Sequence, residues 1–266
     1  MITKQDIIHS ACAFVNSSEG NRLNASTALL PELAGLRFFE EPIFAFGAAG
    51  DYHFELLQQP QAIGPMFQPP GYWLDGAKSV VSYFLPFTEA VRSGNLVSPD
   101  DPSPVWLHAR MEGQAFNETL CRHLMTYISE SGYECAAPSL DSRFTAKSQD
   151  GHTQSAWSER HIAYVCGLGT FSLSAGIITE RGMAGRLGSI VTTATFPPDD
   201  RPYSDIYEYC TRCNVCIGRC PAGAITAEGM DRKKCATFLD TTREKHAPRY
   251  GCGKCQVGVP CESRRP

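Results

Sequence analysis

Apolar positions along the chain change period several times, and each change predicts an element. Ile7, Ile8, Ala11, Cys12, Phe14 and Val15 fall at helical spacing and predict an amphipathic first helix, with Cys12 as a small buried apolar group. Residues 20–76 are rich in Gly, Pro and aromatics and read as turns, apart from a short strand at Pro42–Gly47. The run Lys78–Leu85 is continuously apolar and β-branched and ends at Pro86, the pattern of a buried central strand. From Val105 the period becomes helical through Met111, Ala115, Leu120, Leu124 and Ile128, until Gly132 stops it ahead of a strand near Tyr133–Ala137.

Ser139–Ser155 is polar and aperiodic, and a loop of that length in a compact domain is often functional. A second helix follows from Trp157, with Gly167 and Gly169 as its C-terminal turn, and a strand over Ser189–Thr195 leads to a linker at Pro197–Pro198. Helix followed by strand predicts an α/β or α+β fold. Cys121, Cys135 and Cys166 lie in apolar runs and read as buried structural thiols.

The chain has 266 residues, 42% of them hydrophobic, which suits one large and one small globular domain and excludes a disordered chain. No secretory leader is expected at Met1–His9, and no apolar run reaches the ~18 residues of a membrane span. A soluble, cytoplasmic protein is the expectation, with no membrane partner. Charge is uneven: residues 1–200 carry a net -9 and residues 201–266 a net +5. A basic segment can mark nucleic-acid binding, but here it has another explanation in the cysteines.

Cys210-Thr-Arg-Cys213-Asn-Val-Cys216-Ile-Gly-Arg-Cys220-Pro221 has the spacing of a bacterial ferredoxin run, in which three thiolates serve one 4Fe-4S cluster and the fourth serves another. That rule asks for four more ligands, and Cys235, Cys252, Cys255 and Cys261 supply them. The simplest wiring puts Cys210, Cys213, Cys216 and Cys261 on one cluster and Cys220, Cys235, Cys252 and Cys255 on the other. A pair of zinc sites is the rival reading of the Cys-x2-Cys pairs, and disulfides are a weaker one. Two clusters of about -2 each would nearly balance the basic C-terminal segment. Its remaining cations would form a docking face.

The stretch Trp157-Ser-Glu-Arg-His through Gly188-Ser-Ile-Val-Thr-Thr holds the other candidates. Small and hydroxylic residues in the stretch Gly167, Leu168, Gly169, Thr170 and Ser172, with Ser189, would let the backbone approach a cofactor, or Gly167 and Gly169 simply cap a helix. Glu159, His161, Tyr164 and the loop residue Asp150 are candidate proton donors. His161 is attractive for its ordinary pKa near neutrality, and Asp141 is a further loop acid. A salt-bridged helix face or a core tyrosine are the plainer readings. Gly167-Leu-Gly169 lacks a third glycine and no Walker run occurs, so a nicotinamide cofactor has little support.

With Tyr250-Gly-Cys252-Gly-Lys-Cys255-Gln closing the cysteine module, residues 70–261 resemble the epoxyqueuosine reductases and their reductive dehalogenase relatives. The resemblance implies a nitroreductase-like α/β domain over residues 1–198 holding base-off cobalamin, then a ferredoxin-like domain with two 4Fe-4S clusters over 199–266. It implies a cobalamin-dependent reductase acting on a small-molecule or nucleoside-like substrate, with ferredoxin or flavodoxin as electron donor. The sequence departs from the family where a catalytic aspartate is expected, at Thr153, and in the Cys255-x5-Cys261 spacing. Glu159 does fall on an acidic position of the family pattern. The helical-repeat extension of many members is not expected after Cys261, which with the acidic N-terminal region argues against tRNA as substrate. A non-catalytic electron-transfer or corrinoid-handling protein is the alternative.

Overall fold

The computed structural model describes residues 1–149 and 152–266, and of residues 148, 149, 152 and 153 the backbone only. Its centre is a four-stranded sheet of β1 (Ile43–Ala48), β2 (Ser79–Pro86), β3 (Cys135–Ala136) and β4 (Gly185–Thr192), in the order β1-β2-β4-β3 with every pairing antiparallel. All eight residues of β2 are buried, as its unbroken apolar run predicts. The reason is that both faces of the sheet are covered. Val81, Tyr83 and Leu85 point into a core shared with helices α1 (Lys4–Ser17) and α2 (Pro104–Glu130), whereas Val80 and Phe84 point into a second core with helix α3 (Glu159–Cys166). The result is a three-layer α+β arrangement, in which burial on two faces replaces the alternation usual in antiparallel strands.

Local signals set the helix ends. Thr3 and Asp6 close a capping box on α1, and Ser103 accepts the Trp106 N–H at 3.1 Å with Pro104 in the first turn of α2. Gly132 (φ 87°) and Gly167 (φ 103°) provide the left-handed turns just after α2 and α3. One expectation fails: the 139–155 stretch contains a hairpin, Ala146–Gln149 against His152–Ser155. Its strands are polar, so no alternation of apolar residues marks them, and the backbone ladder carries the pairing.

After Pro198 the chain forms a short hairpin (Ile225–Thr226 with Gly229–Met230), helix α4 (Arg232–His246) and cysteine-bearing loops. Several contacts bind this segment to the sheet layers. Met183 and Ala184 donate backbone hydrogen bonds to the carbonyls of Cys261 and Glu262, and the buried Lys254 ammonium donates to the Asn95 carbonyl at 2.7 Å. Leu173, Ile178 and Met183 share an apolar cluster with Cys216, Ile225 and Val259.

Candidate functional site

Left-handed residues shape the cysteine loops. Arg212 (φ 51°), Asn214 (φ 62°) and Gly253 (φ 65°) turn the chain within the Cys-x2-Cys units, so that successive thiols face one space. Cys210, Cys213, Cys216 and Cys261 line one cavity; Cys220, Cys235, Cys252 and Cys255 line another of about 230 Å³. These are the two sets expected from spacing alone. Burial pushes the Cys252 thiol up to about 11 and the Cys261 thiol up to about 12, and Cys255 is driven up as well. Neighbouring thiolates add to the rise: Cys210, Cys216 and Cys213 around Cys261, and Cys235 and Cys220 around Cys252. Ionising thiols so crowded and buried is costly unless a cationic core takes up their charge. Among the described residues no three His, Cys, Asp or Glu donors close onto a single ion. Thiols ringing a space suit a multi-atom iron–sulfur core better than zinc with its ~2.3 Å bonds to sulfur.

Glu159, at the start of α3, borders a different cavity from its neighbour Arg160, which lines the second cysteine cavity. Its Oε2 accepts from Ser189 Oγ at 2.6 Å, and Ser189 Oγ accepts from the Trp157 indole N–H at 2.9 Å. Its Oε1 is buried without a partner, and the carboxyl borders a cavity of about 160 Å³ with Tyr83, Asn117, Cys121, Ser139 and Gly188. Burial raises the Glu159 pKa to about 7, the Ser189 hydrogen bond opposing it only in part. A carboxyl so tuned can hold and release a proton near neutrality.

The other expected donors are not brought to this cavity. Burial, helped by repulsion from Arg160 and Arg232, lowers the His161 pKa to about 3, so the ring is neutral and bonded to Ser158 Oγ at 2.8 Å. Its ordinary titration near neutrality, which made it attractive, is lost. Tyr164 stacks near Phe171 and Tyr203, and burial raises its pKa. Asp141 is held by Arg143 at about 2 and stays ionised. Asp150 lies outside the described residues.

Of the residues expected to cradle a cofactor, Gly167 and Gly169 are approached by the protein's own backbone. A Cβ would meet the Asp200 carbonyl oxygen at 2.6 Å from Gly167, and that of Ile178 at 2.0 Å from Gly169. Leu168, Thr170, Ser172 and Ser189 are buried; Thr170 Oγ1 accepts the Tyr209 N–H at 2.9 Å, and Ser172 borders the first cysteine cavity. The sequence reading missed Tyr83, Asn117 and the lining role of Cys121. Asn117 and Cys121, one turn apart among the apolar residues of α2, were the available signal. It also missed Arg186, which with Arg160, Arg110 and Trp106 borders the second cysteine cavity. Burial lowers the pKa of Arg160 to about 10 and of Arg186 to about 9.

Residues 203–226 match the 4Fe-4S binding domain family. The epoxyqueuosine reductase of Listeria monocytogenes is 34% identical over 114 residues, covering 39% of this chain and 29% of that protein. Epoxyqueuosine reductase crystallised with an epoxyqueuosine-modified tRNA-Tyr stem loop shares the fold at a TM-score of 0.52 and 19% identity, over 85% of this chain and 62% of that one. The reductive dehalogenase NpRdhA in complex with 3-bromo-4-hydroxybenzoic acid gives a TM-score of 0.55 at 15% identity, over 84% of this chain and 30% of that one. Matches to the epoxyqueuosine reductases of Listeria monocytogenes and Leadbetterella byssophila span 29% and 62% of those proteins' lengths. The chain is thus similar over part of its length to the epoxyqueuosine reductases, shares the fold of these enzymes and of the reductive dehalogenases, and carries a 4Fe-4S binding domain in its C-terminal part.

Proposed function

We propose that the chain is a two-cluster iron–sulfur reductase, its sheet layers up to about residue 198 forming a nitroreductase-like acceptor domain and residues 199–266 the cluster domain. The observation that carries this reading is the pair of four-cysteine cavities, the second of which adjoins, across Glu159–Arg160 and Arg186–Leu187, a cavity lined by an acid tuned to about pH 7. When bound, 4Fe-4S clusters supply single-electron transfer. Cys210, Cys213, Cys216 and Cys261 would hold the outer one, where the exposed Cys213 faces a donor such as ferredoxin or flavodoxin. Cys220, Cys235, Cys252 and Cys255 would hold the inner one beside Arg160 and Arg186. Glu159 would give a proton to the reduced substrate from its free Oε1, and Ser189, fixed by the Trp157 indole, orients that carboxyl.

The cobalamin that the resemblance implies is too large for either of these cavities alone. At about 230 and 160 Å³ both fall below the roughly 300–1,000 Å³ of a drug-sized ligand's pocket, and a corrinoid is larger than such a ligand. One relative was crystallised with a tRNA stem loop, which keeps open the tRNA that the sequence disfavours without excluding. A nucleoside-like substrate therefore belongs to the proposed class beside other small molecules.

The test is consumption of reduced viologen by anaerobic, iron-loaded protein offered epoxyqueuosine as the nucleoside and in a tRNA stem loop, with and without added hydroxocobalamin. Turnover that falls roughly 10²–10⁴-fold in Glu159→Gln supports the reductase and its proton donor. Iron-loaded protein that consumes no reductant under any of these conditions favours a non-catalytic electron carrier. A base-off absorption band on adding hydroxocobalamin would show that the corrinoid is held despite the size of either cavity alone.

A further inference from the structure

The cavity beside the second cysteine set carries more positive charge than a cluster there would neutralise. Arg110, Arg160 and Arg186 all border it, and among the described residues none of the three pairs with a carboxylate. Their visible partners are neutral. Arg160 donates to the Ala175 carbonyl at 2.9 Å, and Arg110 donates to the Tyr250 hydroxyl at 2.8 Å. Arg186 makes long contacts of 3.4 Å to the Gly185 and Arg110 carbonyls and lies over the Phe87 ring at 5.2 Å, and its buried Nε has no hydrogen-bond partner. A guanidinium offers five donors in a planar fork, and Arg160 and Arg186, both half-buried, keep donors free for a ligand, the buried Nε of Arg186 among them. A cluster on four thiolates brings about -2 in its oxidised form, against three guanidiniums. One negative charge more would balance the site.

Resting on the reductase reading, we propose that Arg160 and Arg186 form a subsite for an oxyanion, the carboxylate or phosphate of the substrate, seated beside the inner cluster. Neighbouring cations repel one another, and burial sharpens that repulsion, so an anion between them is held more firmly than at the surface. The fork geometry suits a bidentate oxyanion, and Trp106 and Phe238 in the same wall would pack its apolar part. The site selects an acidic substrate, held by its oxyanion beside the electron source with its reducible part extending toward Glu159, whose cavity adjoins across Glu159–Arg160 and Arg186–Leu187.

Iron and sulfide analysis of the anaerobic protein comes first, because protein without iron defeats the cluster reading and not the anion site. On iron-loaded protein, inorganic phosphate and acetate are titrated separately at constant ionic strength while the electron paramagnetic resonance of the reduced inner cluster is followed. Millimolar anion should change that signal, with the stronger of the two identifying the source as phosphate or carboxylate. Arg186→Met should weaken the response at least tenfold. Arg160→Lys, which keeps the charge and loses the fork, should weaken it while iron loading persists, and it serves if Arg186→Met fails to fold. Full iron loading with no response to either anion in the wild type would overturn the proposal and leave the arginines as counter-charge to the cluster.

Discussion

Glu159, the proposed proton donor, also bears on stability. Burial raises its folded pKa to about 7, above its unfolded value, so the folded protein keeps the proton longer than the unfolded chain. The associated stability is fully present below the unfolded carboxyl pKa and is lost as pH rises through about 7, a change on the order of 3 kcal/mol. Glu159→Gln should remove this dependence: the variant gains on the wild type in urea midpoint between pH 5 and 8, and equal slopes for the two would show that the carboxyl is not buried in its acid form. At this scale the sequence was half legible. Glu159 was a candidate because it stood on an acidic position, but its partner Ser189 was expected to cradle a cofactor. His161 is attractive among the candidates for its ordinary pKa, which burial beside Arg160 cancels. Burial and charge partners arise only when distant segments meet, so residue type and spacing do not contain them.

Elements were read more securely than residues, because each carries its own local signal. The unbroken apolar run of β2, the caps of α1 and α2, and the glycine after α3 all act over a few positions. The hairpin inside 139–155 escaped because its ladder rests on backbone and not on an apolar face. The Gly-Leu-Gly turn was open between helix cap and ligand loop, and the structure shows a helix end packed under its own chain. A Cβ at Gly169 would meet the Ile178 carbonyl oxygen at 2.0 Å, closer than any relaxed contact allows. Gly169→Ala should therefore cost about 2–4 kcal/mol, read as a shifted urea midpoint with an unchanged slope. A loss below about 0.5 kcal/mol would mean the turn is free to open toward a ligand.

Over the whole molecule, two distant segments are tied into each of two sites. Cys261 is separated from the Cys210–Cys216 run by the entire second ligand set, yet it closes the first cavity, held by the Met183–Cys261 backbone hydrogen bond at 3.0 Å. This pairing follows from ferredoxin spacing and was legible in the sequence. The arginines facing the inner site were not, since they come from α2, α3 and β4, three separate elements. The most direct test of the central claim is iron and sulfide content with electron paramagnetic resonance of the dithionite-reduced protein and of Cys213→Ala, Cys261→Ala and Cys252→Ala. About eight irons per chain and two signals are expected. Cys213→Ala and Cys261→Ala should disturb the same one, and Cys252→Ala the other. Zinc in place of iron, or Cys213→Ala and Cys261→Ala acting on different signals, would contradict the claim.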